Sequence, residues 1–351
     1  MSWLTGLFPL GPRFFAWQIE VTTRCGLRCP SCFHGEPGTE RRDLPWEVLE
    51  GLEPHLGRVN NVILQGWGEP LLYPHLCRAL ELVASKGARA GFVTSGQGLD
   101  ETLAREVVRA GARFISFSVG GAREETHALL RPGSSLEWVL NGVTRIRRAA
   151  AAWNIPEPDL ELTCLLQRQN MEELPEVVDL AARIGAGTIV GINPTYIGNL
   201  EQEAQRLFVC EGEPEREHVE ILREAERRAR DRGVRLRLPA LRGEQVLVCE
   251  EDPLHSLFIA SDGEMGPCVN MLPPKERFDH LFCGTEVEGV RQGFGNLQVG
   301  ELPRIWNASA YSDFRRVLKE RRLIETKELP QREEFPDPPP PCRTCHKMLG
   351  L

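Results

Sequence analysis

The sequence lacks a basic excess: its 351 residues carry 42 Lys and Arg against 50 Asp and Glu, a net charge of -8. That removes any overall electrostatic case for a nucleic-acid partner. It also lacks an uninterrupted apolar opening. Residues 1–15 are apolar on balance, but Pro9, Gly11, Pro12 and Arg13 break the run and no basic flank precedes it. Neither a secretion signal nor a membrane span is expected there. No histidine follows the first cysteines at zinc spacing, and no repeat is present beyond an alternation of strand-like and helix-like segments. Without a secretion signal, the eleven cysteines point to a reducing, cytoplasmic compartment in which thiols serve metals rather than disulfides.

What is present reads as a globular chain, 41% hydrophobic and 26% charged, long enough for one large barrel and a smaller module. Apolar runs at 15–22, 59–65, 89–94, 114–119, 160–166 and 188–192 predict strands. Amphipathic stretches at 44–56, 75–86, 100–111, 136–153 and 171–184 predict the helices between them. Short apolar strands alternating with helices mean a parallel sheet. Residues 213–233 form a highly charged helix, read as a solvated face laced with ion pairs, and 234–238 a strand at the sheet edge. The alternation then ends, so a boundary is placed near residue 240. Beyond it come a short strand at 257–260, a turn at Ser261-Asp262-Gly263, a helix at 303–320 and an extended proline run at 336–341.

Cys25, Cys29 and Cys32 lie on one short loop after the first strand. Spacings of three and two residues let a loop wrap one face of an iron–sulfur cube and leave one iron open. A zinc clip or unrelated core thiols are the alternatives on chemistry alone. Later in the chain, Cys249, Cys268 and the pair Cys342 and Cys345 supply four thiols, enough for a closed site of zinc, redox or iron–sulfur type. Gly68 and Glu69, in Gln65-Gly66-Trp67-Gly68-Glu69-Pro70, occupy a tight turn after the second strand. Glycine there permits close backbone approach, and the carboxylate suits an ammonium group.

In its CxxxCxxC loop the sequence resembles the radical S-adenosylmethionine (SAM) superfamily. The resemblance implies a partial parallel (β/α)6 TIM-like barrel of the α/β class, a [4Fe–4S] cluster on Cys25, Cys29 and Cys32, and S-adenosyl-L-methionine bound to its open iron. It also implies reductive cleavage to a 5′-deoxyadenosyl radical that takes hydrogen from a substrate. Ser31 replaces the aromatic or large residue that many members carry before the third cysteine. Trp67-Gly68-Glu69-Pro70 resembles the family's Gly-Gly-Glu-Pro stretch, which assigns Glu69 to the SAM ammonium. Ser95, Ser118 and Gln167 fall at ligand-facing positions, although Ser118-Val119-Gly120-Gly121 lacks the family's aspartate.

The later cysteines, with Gly263 five residues before Cys268, are similar to a twitch or abbreviated SPASM module, a small α+β unit. That implies one auxiliary [4Fe–4S] cluster on Cys249, Cys268, Cys342 and Cys345, with Cys283 as an alternative ligand, and a net oxidation or maturation of the substrate. The implied organisation is a lead-in at 1–14, a barrel at 15–240 and a module at 241–351. The implied partners are a reducing flavodoxin or ferredoxin and a small-molecule or peptide substrate. Only 24 residues precede Cys25, too few for the winged-helix peptide-recognition domain of many peptide-modifying relatives, which lowers the peptide expectation. Cys210 and Tyr196 are candidate hydrogen-relay groups. A non-catalytic metal or redox sensor is the competing class, and the Glu69 turn argues against it.

Overall fold

The computed structural model describes residues 13–35, 38–324 and 336–351; residues 1–12 of the expected lead-in lie outside them. Seven strands run parallel: β1 (Phe14–Ile19), β2 (Val59–Leu64), β3 (Arg89–Thr94), β4 (Phe114–Val119), β5 (Asp159–Leu165), β6 (Thr188–Ile192) and β7 (Arg235–Arg237). The sheet does not end at β1. β8 (Ser256–Ile259) pairs parallel with β1, and the two-residue β9 (Met265–Gly266) pairs antiparallel with β8. The linear order is therefore β7-β6-β5-β4-β3-β2-β1-β8-β9. Six strands were expected in the barrel. The seventh was foreseen only as an edge piece, and β8 and β9, past residue 240, continue the same sheet.

Apolar side chains on one face of these strands, in register from β1 to β4, are shut away from water: Trp17, Ile19, Val62, Leu64, Phe92, Ile115 and Phe117 are all fully buried. Each contributes about 1.5–3 kcal/mol relative to exposure. The helices are α1 (Trp46–Leu52), α2 (Leu76–Ser85), α3 (Glu101–Arg109), α4 (Glu124–Leu130), α5 (Leu136–Trp153), α6 (Leu174–Ile184), α7 (Leu200–Ala204), α8 (Arg216–Arg232), α9 (Leu302–Trp306) and α10 (Ser309–Ile324). Asp100 starts α3 by accepting the Leu103 N–H at 2.8 Å, and Ser135 starts α5 by accepting that of Glu137 at 3.2 Å. On α8, Arg228 and Arg232 bind Asp179 of α6 at 2.8 and 2.9 Å while Ala225 and Ala229 pack inward.

Three features differ from the sequence reading. Helix α4 lies in a segment read as a loop and α7 in one given no element; α4 buries only His127 and α7 nothing, so neither has an apolar period to detect. The expected helix at 303–320 is two helices separated at Asn307 and Ala308. Strands β10 (Arg277–Phe282) and β11 (Thr285–Val290) form an antiparallel hairpin that charge conceals, since Arg277, Asp279, Glu286 and Glu288 occupy it. No described helix is long and apolar enough to cross a membrane.

Candidate functional site

Parallel strands put their C-terminal ends, and the loops that follow, at one end of the sheet. The Cys25–Cys32 loop leaves β1 there. Its base is tied by Arg24, whose Nε and Nη2 donate to Asp43 at 2.9 and 2.8 Å. Segments after three other strands hold its rim. The Arg28 N–H donates to the Pro132 carbonyl at 3.3 Å, Gln167 Nε2 donates to Ser31 Oγ at 2.6 Å, and Gln202 Nε2 binds the Pro30 carbonyl. Gln167 therefore sits against the cysteine loop through Ser31, the residue that departs from the family's pattern.

Cys25, Cys29 and Cys32 are each half-buried. Burial pushes the Cys25 thiol up and the Cys32 thiol up to about 12, and the neighbouring thiols add to both effects. Thiols held neutral by desolvation suit a group that brings positive charge of its own. No three of their ligand atoms lie within 4.8 Å of one another; among the described residues only Cys210, Cys283 and His346 meet that condition. A lone tetrahedral zinc with ~2.3 Å bonds draws its sulfurs to ~3.8 Å. The wider spacing fits a multi-iron cube.

The turn after β2 packs directly on this loop. A Cβ on Gly68 would lie 2.1 Å from the Thr22 carbonyl oxygen, so only glycine fits. The Glu69 N–H donates to the Arg24 carbonyl at 2.8 Å. Glu69 is 3% exposed, and its carboxylate is saturated. Oε1 accepts from Thr94 Oγ1 at 2.6 Å and the Leu71 N–H at 3.2 Å; Oε2 accepts from the Ser95 N–H and Oγ, both at 2.7 Å. With about four lone-pair sites filled, Glu69 clamps the turn after β2 to the end of β3, and Ser95 is part of the same clamp. Ser118 is half-buried at the end of β4 with no hydrogen bond among those described, while Ser116 on the same strand bonds Thr163 at 2.6 Å.

Sequence reasoning missed Glu20. It is buried, its Oε1 accepts the Trp67 N–H at 2.7 Å and its Oε2 the Ser261 N–H at 3.1 Å, and burial raises its pKa. One carboxylate thus joins β1, the turn after β2 and the segment after β8. A lone acid inside the apolar run Trp17-Gln18-Ile19-Glu20-Val21 was the available signal. Buried polar atoms at this end of the sheet also lack protein partners: Trp67 Nε1, Gln97 Oε1 and Asn193 Oδ1. Gln97 borders the cysteine loop, since a Cβ on Gly26 would meet its Oε1 at 2.7 Å. Unpaired donors and acceptors beside neutral thiols fit a bound ligand with amino, carboxylate and nucleoside groups.

Cys249, Cys268, Cys342 and Cys345 share the lining of one cavity of about 270 Å³. Burial pushes Cys249 up to about 12 and raises the other three, with the neighbouring thiols adding to the effect at Cys249, Cys268 and Cys342. Two cations attend them. Arg321 is fully buried and donates to the Val246 and Leu247 carbonyls at 2.9 and 3.0 Å, and Lys347 pairs with Glu250. The cavity reaches the barrel mouth, where Phe33, Trp67 and Tyr196 complete its wall. Phe33 stacks on Tyr196 with centroids 4.0 Å apart and meets Trp67 edge-on at 4.7 Å.

The remaining cysteine expectations need correction. Cys210 and Cys283 form a disulfide with Cα atoms 5.8 Å apart, so in this state Cys283 is no cluster ligand and Cys210 no hydrogen relay. Not every thiol serves a metal, because the chain folds the segment after β6 against the tip of the β10–β11 hairpin.

Known proteins add a family to this geometry. The model of the radical SAM superfamily matches residues 19–181, and that of the SPASM iron–sulfur cluster-binding domain matches residues 249–346. The tungsten-containing aldehyde ferredoxin oxidoreductase cofactor-modifying protein of Pyrococcus furiosus is 24% identical over 86% of this chain and 83% of its own length. A PqqA peptide cyclase of Rhizobium meliloti is 28% identical over 62% of this chain; the match spans only 56% of the cyclase. Among solved structures, Streptococcus suis SuiB bound to S-adenosylmethionine superposes with a TM-score of 0.63 at 14% identity, over 86% of this chain and 68% of SuiB. The chain belongs to the radical SAM superfamily, as an enzyme that carries a C-terminal SPASM iron–sulfur domain.

Proposed function

We propose that Cys25, Cys29 and Cys32 hold the SAM-binding [4Fe–4S] cluster, that Cys249, Cys268, Cys342 and Cys345 hold an auxiliary one, and that the enzyme oxidatively matures a peptide side chain between them. The observation that carries this reading is the single cavity that joins the aromatic barrel mouth to all four module cysteines. When bound, the first cluster supplies one electron that splits SAM and yields a 5′-deoxyadenosyl radical able to take a substrate hydrogen. The chain's own residues do the rest. Gln167 and Ser31 hold the cysteine loop, Glu69 fixes the turn and the β3 end that flank the ligand, and Phe33, Trp67 and Tyr196 keep water from the reacting carbon. Four cysteines leave the module's site closed, which suits it to electron transfer rather than to binding substrate.

The name of the PqqA peptide cyclases among the relatives supports a peptide. A cavity of about 270 Å³ admits a side chain rather than a folded partner. Maturation of a metal cofactor is the second reading, favoured by the far more complete match to the Pyrococcus furiosus protein. Flavodoxin or ferredoxin is the proposed reductant, and the cytoplasm the proposed compartment. The test is anaerobic incubation of reconstituted enzyme, SAM and dithionite with side-chain-deuterated precursor peptides, or with a deuterated tungsten-containing cofactor. Deuterium in 5′-deoxyadenosine and a peptide product short of two hydrogens support the first reading. Label transfer from the cofactor alone supports the second.

A further inference from the structure

The Cys210–Cys283 pair belongs to neither cysteine set. Cys210 comes from the segment between β6 and α8, Cys283 from the tip of the β10–β11 hairpin, and His346 from the last residues of the chain. Their ligand atoms lie within 4.8 Å of one another. We propose that, once its disulfide is reduced, this pair joins His346 in a third metal site that takes a single thiophilic divalent ion of the zinc class.

Four observations support it. His346 is 1% exposed, and its Nε2 accepts the Cys283 N–H at 3.3 Å, so the nitrogen beside the sulfurs carries a lone pair. The ring also hydrogen-bonds the Thr195 backbone, and Phe208 and Phe282 contact it with centroids 5.0 and 5.1 Å away. A histidine fixed by a backbone group through one nitrogen is oriented as metal ligands are, and an ion would take the Nε2 lone pair in place of the Cys283 N–H. Arg206 Nη1 lies 3.4 Å from Cys210 Sγ and favours the thiolate. Glu203, paired through Oε1 with Arg206 at 3.1 Å, keeps a buried Oε2 without a partner. Its Oε1 lies 3.8 Å from where a Cβ on Gly284 would stand. Two thiolates and an imidazole supply three of the four donors of a tetrahedral zinc site, with the Glu203 carboxylate outside the group and the fourth position left to solvent.

The S–S bond holds the two sulfurs closer than one ion would, and on reduction they need only part to the ~3.8 Å that two thiolates take on a single zinc. The step balances. A dithiol, or a phosphine in vitro, breaks the S–S bond and leaves two thiols. The dithiol becomes a disulfide, or the phosphine takes an oxygen atom from water to give its oxide. Binding of the ion then releases the two thiol protons. The site would pin the hairpin tip and the residue after Cys345 to the barrel, so it would steady the auxiliary-cluster end of the cavity.

The experiment uses the full-length protein, reconstituted anaerobically with iron and sulfide, reduced with the phosphine TCEP, given one equivalent of zinc chloride and desalted. Zinc and iron are then counted by mass spectrometry. The proposal expects about one zinc per chain, falling to below about a tenth of that in Cys210→Ser/Cys283→Ser with iron unchanged. His346→Gln, which keeps both thiols, is expected to bind zinc at least ~10-fold more weakly. Equal zinc in wild type and the double variant, or no zinc in reduced wild type whose two thiols react with a disulfide reagent, would overturn it. So would loss of iron together with zinc in the double variant, which would move these cysteines into the auxiliary cluster.

Discussion

Replacing Glu69 by Gln preserves its size but turns one acceptor oxygen into an NH2 donor, and the structure says what that disrupts. Oε2 accepts two hydrogen bonds from Ser95 at 2.7 Å, and Oε1 accepts from Thr94 at 2.6 Å and Leu71 at 3.2 Å. The two hydroxyls can turn to accept from an amide; the Ser95 and Leu71 N–H groups cannot. At least one charge-assisted bond is lost, worth about 1.5–3 kcal/mol, and a buried donor can be left unmade at about 1–3 kcal/mol. A net loss of about 2–3 kcal/mol in the order of the SAM turn corresponds to a roughly 30- to 150-fold rise in the SAM dissociation constant. Equilibrium dialysis of SAM against anaerobically reconstituted protein reads it, with iron content as the control for cluster assembly. Because the carboxylate acts through Thr94 and Ser95, Thr94→Val/Ser95→Ala should also weaken SAM, by about 10-fold. Adding Glu69→Gln to that pair should cost less than the sum of the two. If Thr94→Val/Ser95→Ala binds SAM as wild type does while Glu69→Gln does not, the carboxylate acts on the ligand directly and this reasoning is wrong.

Removing the module's cysteines should separate the two chemistries: Cys342→Ala/Cys345→Ala is expected to lose about half of its iron and all oxidised product while retaining SAM cleavage, and loss of cleavage would contradict independent sites. His127 is fully buried, its Nδ1 accepting the Gly120 N–H at 3.3 Å and its Nε2 bonded to Ser134 at 3.0 Å, and burial lowers its pKa from 6.5 to about 4. The folded state holds the neutral ring, so its contribution is complete above pH ~6.5 and is lost as the pH falls toward ~4, by up to about 2–3 kcal/mol. Urea unfolding from pH ~7.5 to ~5 should therefore decline more steeply for wild type than for His127→Gln, and parallel declines would contradict this. Arg321→Met strands the Val246 and Leu247 carbonyls and should cost about 2–3 kcal/mol, read as a lower thermal midpoint; an unchanged midpoint would show that water replaces the guanidinium.

The barrel was legible because its signals are local. Strands β3, β4 and β6 and helix α5 appear with the expected bounds, set by apolar runs and by caps such as Asp100 and Ser135. The Cys25 loop was legible for the same reason, since three ligands in eight residues announce themselves. What needed the structure was pairing across long separations. Nothing local says that Ser256–Ile259 adds to β1, that Glu20 reaches Ser261, or that Cys210 meets Cys283 across 73 residues. The β10–β11 hairpin was hidden because its exposed faces alternate charge rather than apolar residues. Glu69 shows the converse limit: a motif identified the residue, while its hydrogen bonds give it a clamping task that the motif alone does not reveal.

The central claim is two clusters with separate tasks in one chain, and the most direct measurement compares wild type with Cys25→Ala/Cys29→Ala/Cys32→Ala. Both are reconstituted anaerobically, assayed for iron and sulfide, and supplied with SAM and dithionite. The account predicts about eight irons and 5′-deoxyadenosine from wild type, and about four irons with no 5′-deoxyadenosine from the variant. SAM cleavage that survives in the variant, or wild type that holds about four irons and loses them all with these three cysteines, would contradict it.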